Sequence, residues 1–144
     1  MELQAILDRL VASLPRSIGA VLCDFEGETV VAALGPSRAP AIAEAYAQEH
    51  LPRSMAVTMP VQEFLVRLAG AEPCALLRLF QAQNDAHGSG AISMLELRFG
   101  DVDMIVDRLP NDFYLVALLR RPTVLGRARR HVRVASDALR SHVE

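Results

Sequence analysis

Three short apolar runs lie almost end to end near the C-terminus: Ala91 to Phe99, Val102 to Leu109 and Phe113 to Leu119. Only tight corners at Gly100, Asp101, Pro110 and Asn111 separate them, which predicts a three-strand meander. The first run is then an edge strand. It carries apolar residues on both faces, with Leu95, Leu97 and Phe99 alternating against Ile92 and Met94. An edge of that kind presents unpaired backbone and apolar side chains together, and it calls for a partner.

The rest of the chain supplies helices and one hairpin. Leu3, Ile6, Leu7, Leu10 and Leu14 fall at helical spacing among polar residues, predicting an amphipathic helix that Pro15 ends. Ile18 to Phe25 and Thr29 to Leu34 read as two strands joined at a Glu26, Gly27, Glu28 corner. Ala39 to Glu49 is alanine-rich and suits a helix that another helix can approach closely. Past Pro52, Thr58 suits a helix cap with Pro60 in the first turn, and Val61, Phe64, Leu65 and Leu68 form the expected buried stripe. Gly70 and Pro73 are expected to break or kink that helix before a further helical stretch, Ala75 to Gln83. Asn84 to Gly90 reads as a flexible loop. Beyond Pro122, Leu125, Ala128, Val132, Ala135 and Leu139 make a continuous apolar stripe, from which Arg127, Arg129, Arg130, Arg133 and Arg140 project as a solvated face. Helix, two strands, a helical middle, three strands and a helix make one α+β domain over residues 1–144.

Bulk properties exclude several classes. At 51% hydrophobic and 22% charged residues the chain is not disordered, and its interrupted apolar runs exclude a membrane-spanning helix. Glu2, Asp8 and Arg9 interrupt the N-terminal apolar pattern, so no signal peptide is read and a cytoplasmic protein is expected. All 15 basic residues are arginine. Without lysine there is no GxxxxGK phosphate loop and no Schiff-base chemistry, so any nucleotide in the system is expected on another protein. Residues 120–144 carry a balance of +5 against −7 for residues 1–119. With no aromatic residues between these arginines, nucleic-acid binding is not expected.

Candidate chemistry is sparse. Cys23 and Cys74 stand far apart in sequence and read as buried small apolar groups, with neither a zinc site nor a redox dithiol suggested. Asp101, Asp103 and Asp107 share one strand face, yet no histidine or amide cluster supports a metal, and they are expected to be exposed. His87, Gly88, Ser89 and Gly90 lack the order and context of a nucleophile elbow. His50, His131 and His142 read as surface residues. Arg108, Arg120 and Arg121 lie at strand ends where an arginine could be offered to a nucleotide in trans. No cofactor and no catalytic set is expected.

The order of elements and local residues together resemble the roadblock family, the dynein light chain roadblock type of domain. Ile18 to Leu22 followed by Asp24, Gly27 and Glu28 is similar to that family's first hairpin, and Phe113 to Leu119 followed by Leu125 to Arg129 is similar to its last strand and final helix. The resemblance implies a five-stranded antiparallel sheet with the first and last helices on one face and the middle helix on the other. It also implies an edge-to-edge homodimer, whose seam in this chain would comprise Ile92, Met94, Leu95, Leu97 and Phe99, and a middle helix contributing partner contacts, here through Ala41, Ala45, Tyr46 and Glu49. The function implied is that of a non-catalytic regulator or scaffold for a small Ras-like GTPase. The alternative is a structural adaptor binding other roadblock-type or motor-complex proteins. The chain departs from the family between Leu34 and Ala91, where Pro52, Pro60 and Pro73 would break a single middle helix.

Overall fold

The structure, a computed structural model, describes residues 2–50 and 61–144. Helix α1 (Glu2–Ser13) leads into the hairpin β1 (Ser17–Cys23) and β2 (Thr29–Leu34). Helices α2 (Ala41–His50) and α3 (Val61–His87) follow, then β3 (Met94–Phe99), β4 (Val102–Arg108), a 3-10 turn at Pro110–Asp112, β5 (Tyr114–Arg120) and α4 (Leu125–Val143). The strands form one antiparallel sheet in the order β2-β1-β5-β4-β3, so the meander is intact and β3 is an edge. The expected Thr58 cap and Pro60 lie outside the described residues.

Each face of the sheet carries its own core. On one side Ile6, Leu7 and Leu10 of α1 and Val132, Ala135 and Leu139 of α4 pack on Leu22, Ile105, Leu115 and Ala117. On the other, Val66, Cys74 and Leu77 of α3 pack on Val21, Cys23, Met104 and Val116. Being covered twice, β1 is buried at every position and β4 and β5 at all but their last, so these strands show little alternation of burial.

Helix α3 differs from expectation. It runs unbroken through Pro73 to His87 and stops at Gly88, whose positive φ of 68° suits the left-handed turn past a helix end. Its buried residues are Val66, Gly70, Pro73, Cys74 and Leu77, while Phe64, Leu65 and Leu68 are half-buried. The cause is close packing against β1. A Cβ on Gly70 would lie 2.5 Å from Val21 Cγ1, and one on Gly19 would lie 2.5 Å from Val66 Cγ2. Each glycine is therefore the socket for a valine from the opposite element, and this contact fixes which side of the helix faces the sheet. Pro73 removes one backbone donor from a 27-residue helix, a local loss that packing overrides.

Candidate functional site

The register shows which groups β3 offers. Arg108 N–H donates to Ser93 C=O at 2.9 Å, and Phe99 pairs with Val102 in the same ladder. Bonded pairs then recur at every second residue, so the backbone N–H and C=O groups of Met94, Glu96 and Arg98 face away from β4. Among the described residues, no other element supplies these groups with a backbone partner. Leu95 and Leu97 are half-buried against the α3-side core, and Met94 packs against the α1/α4-side core. Ile92 joins Leu95 and Leu97 rather than Met94, because the strand begins only at Met94 and the alternation does not extend back to it. Phe99 ends the strand; its side chain lies outside the described residues.

Polar contacts hold the edge in place from three sides. Glu96 forms an ion pair with Arg129 of α4, so this arginine belongs to a contact with the sheet as well as to the basic helix face. Its partner's carboxylate raises the Arg129 pKa further. Asp103, directly opposite Arg98, accepts from Arg98 Nε at 3.1 Å and lies 3.3 Å from Arg121 Nε. At 1% exposure Asp103 is buried, and Asp107 is buried too at 5%, against the expectation of an exposed carboxylate row. The reason is that α4 covers this face and the two arginines compensate Asp103. At the start of the strand, Gln81 of α3 accepts from Ile92 N–H at 2.7 Å and from Arg108 Nη1 at 3.1 Å.

The strand-end arginines are committed to the fold. Arg108 binds Asp112 at 2.6 Å, Arg120 Nη1 donates to Arg38 C=O at 3.1 Å, and Arg121 donates to Gly100 C=O. Helix α2 presents Ala41, Ala45 and Glu49 as exposed residues, while the Tyr46 side chain lies outside the described residues. α2 packs on α3, so the structure does not gather this set with the β3 set. Between α3 and the sheet an open groove of about 340 Å³ is lined by Ile18, Leu65, Leu68, Met104 and Leu118, with Glu72 at its rim. Such a lining suits apolar contact rather than acid–base or nucleophilic chemistry. Among the described residues there is no group of three or more His, Cys, Asp or Glu side chains able to hold a metal, and no helix long and apolar enough to cross a membrane.

The cysteines depart from expectation as well. Both are buried, but Cys23 on β1 and Cys74 on α3 are neighbours in the α3-side core. Nothing in their sequence spacing signals this. Gln81 and the Glu96–Arg129 pair were equally invisible, since each joins elements distant in the chain.

No family model matches the sequence, and no curated protein matches it. Solved structures do. MglB of Myxococcus xanthus is similar over 99% of this chain and 94% of its own, with a TM-score of 0.70 at 14% identity. A Roadblock/LC7 domain from Streptomyces avermitilis is similar over 99% and 98%, with a TM-score of 0.71 at 13% identity. The chain has the roadblock fold. A third match, MglC of Myxococcus xanthus, covers 99% of each chain at 17% identity, with a TM-score of 0.62. The five-stranded antiparallel sheet and the division of helices between its two faces agree with what the sequence resemblance implied.

Proposed function

We propose that this roadblock-fold chain is a non-catalytic, cytoplasmic homodimer that regulates or scaffolds a small Ras-like GTPase within a polarity or motility complex. The observation that carries the reading is the open β3 edge, with outward backbone groups on Met94, Glu96 and Arg98 beside a half-buried Leu95 and Leu97. Antiparallel pairing of two such edges about a twofold axis at Glu96 sets Leu95 opposite Leu97 of the second copy and Met94 opposite its Arg98. Two Glu96 carboxylates then meet at the axis, each already compensated by its own Arg129. The exposed α2 residues Ala41, Ala45 and Glu49, with Tyr46, are the proposed contact for the GTPase.

Two measurements test this reading. Glu96→Cys should form a disulfide-linked dimer under mild oxidation, because bonded antiparallel pairs bring Cα atoms to about 5.5 Å. A monomeric mass for the unmodified protein at high concentration would overturn the dimer. Mixing the protein with Ras-like GTPases of its own organism should yield a complex or altered phosphate release, and the absence of both would overturn the GTPase reading. A second reading, an adaptor for other roadblock-type proteins, is favoured by the middle segment, where α2 and a separate 27-residue α3 replace a single middle helix. Affinity capture that recovers roadblock-type partners and no GTPase would select it.

A further inference from the structure

The chain has two cysteines, and the fold brings them to one spot beneath the middle of α3. Cys23 is the last residue of β1, Cys74 lies one helical turn after Gly70, and both have no exposed surface. Gly70 is what lets them meet. A Cβ at that position would sit 2.9 Å from Cys23 Sγ, and the Cys74 thiol donates to Gly70 C=O at 3.1 Å. Both sulfurs thus lie against the same bare stretch of helix backbone. A disulfide requires Cα atoms within about 7 Å, which favours a helix lying close against the sheet. The paired sockets at Gly19 and Gly70 hold α3 in that position.

Two further features bear on reactivity. The contact between the two thiols, with burial added, pushes Cys23 far above the ordinary thiol range, and the same contact outweighs burial to draw Cys74 below it. Of the two, Cys74 is the one drawn toward the thiolate, the form that attacks an oxidant. Pro73 immediately precedes Cys74 and cannot donate to the carbonyl of Ala69, so the helix has a missing backbone bond next to the thiol. Opening of the helix at that point would give a small oxidant a route to the sulfur.

We propose that Cys23 and Cys74 form a reversible disulfide site, an intramolecular bond from β1 to α3 made by a hydroperoxide and undone by a dithiol. The Cys74 thiolate attacks the terminal peroxide oxygen, the O–O bond breaks, and the departing alkoxide or hydroxide takes a proton, leaving Cys74 as a sulfenic acid. Cys23 then gives up its proton, its sulfur bonds to Cys74 Sγ, and the hydroxyl leaves as water. Two thiols and one hydroperoxide become one disulfide, one alcohol and one water. The site is independent of whichever partner the protein binds.

Treating the reduced, full-length protein with hydrogen peroxide and mapping its peptides by mass spectrometry tests the site. The expected product has lost two hydrogens, resists thiol alkylation, yields a linked Cys23–Cys74 peptide at a rate independent of protein concentration, and reverts with dithiothreitol. Retention of two alkylatable thiols, oxygen adducts without a link, or links only between chains would overturn the proposal. The wild-type linkage decides the matter alone. C23S sharpens the order of events: a dimedone-trapped sulfenic acid should accumulate on Cys74, and trapping that falls below wild type would overturn the assignment of Cys74 as the attacking thiol.

Discussion

The sheet has two edges, and the chain treats them differently. At β2, Gly35 N–H donates to Ile18 C=O, so bonded pairs alternate from there and the backbone of Ala32 faces outward. That carbonyl is closed by Gln4 of α1, which donates to it at 2.8 Å. The ladder also shifts register where Thr29 and Val31 oppose adjacent residues of β1, leaving Val30 as a bulge. A capped carbonyl and a bulge are both devices that discourage strand addition. At β3 the register is regular over the whole strand, and the outward groups of Met94, Glu96 and Arg98 have no backbone partner from another element among the described residues. The polar side chains there stabilise the strand in place, through Arg129 and Asp103, without covering its backbone. One edge is interrupted by a bulge and a capped carbonyl and the other is kept regular and open, which is the arrangement expected when association is meant for a single edge.

The largest effect should follow from placing charge at the open edge. In the proposed dimer Leu97→Arg would set a guanidinium opposite Leu95 of the second copy, in the apolar strip beside the seam, and desolvating it should weaken association by about 3 kcal/mol, roughly a hundredfold in dissociation constant. Sedimentation or light scattering across a dilution series reads this directly, with circular dichroism checking that the monomer is folded. A folded Leu97→Arg variant with unchanged dimer affinity would remove β3 from the interface.

Unfinishing the other edge should have a smaller effect. Gln4→Ala removes the donor to Ala32 C=O, and because water can replace it there, the expected loss is about 0.5–1 kcal/mol, or a few degrees in thermal midpoint. Mass at low concentration should stay that of the dimer. Association beyond the dimer at high concentration would mark Gln4 as a guard of this edge, whereas an unchanged midpoint would mean that the hydrogen bond contributes nothing net.

Much of this asymmetry could be read from sequence on one side only. The meander, its β3 edge and the first hairpin were legible because their corners are local, with Gly27 at a positive φ of 84° and Gly100 at 54°. The α4 stripe was legible from its spacing, and Ala128, Val132, Ala135 and Leu139 are all buried. Helix α3 was misread because Gly70 and Pro73 carry strong local signals for breaking a helix, while their actual roles, a socket for Val21 and a buried helix residue, depend on β1. The burial of Asp103 was hidden for the same reason, since its partner Arg121 comes from another strand end. The finishing of β2 was invisible, because Gln4 lies 28 positions from the carbonyl it caps. Local chemistry announces strands and corners; it does not announce which edge a distant side chain will close.

The smallest effect, and the sharpest control, comes from repeating the charge substitution on the finished edge. Val30 is 42% exposed and sits at the bulge, so its side chain already meets water and no neighbouring strand is expected beside it. Val30→Arg should change stability by no more than about 0.5 kcal/mol, the ordinary range for an exposed position, and should leave dimer affinity as it was. The two substitutions are chemically alike, each exchanging an aliphatic side chain on an edge strand for arginine, so general effects of charge on solubility or folding should appear in both. A dimer that dissociates with Val30→Arg and persists with Leu97→Arg would reverse the roles of the two edges. Loss in both would point to a shared effect of net charge, and only the expected contrast isolates β3 as the surface through which two copies join.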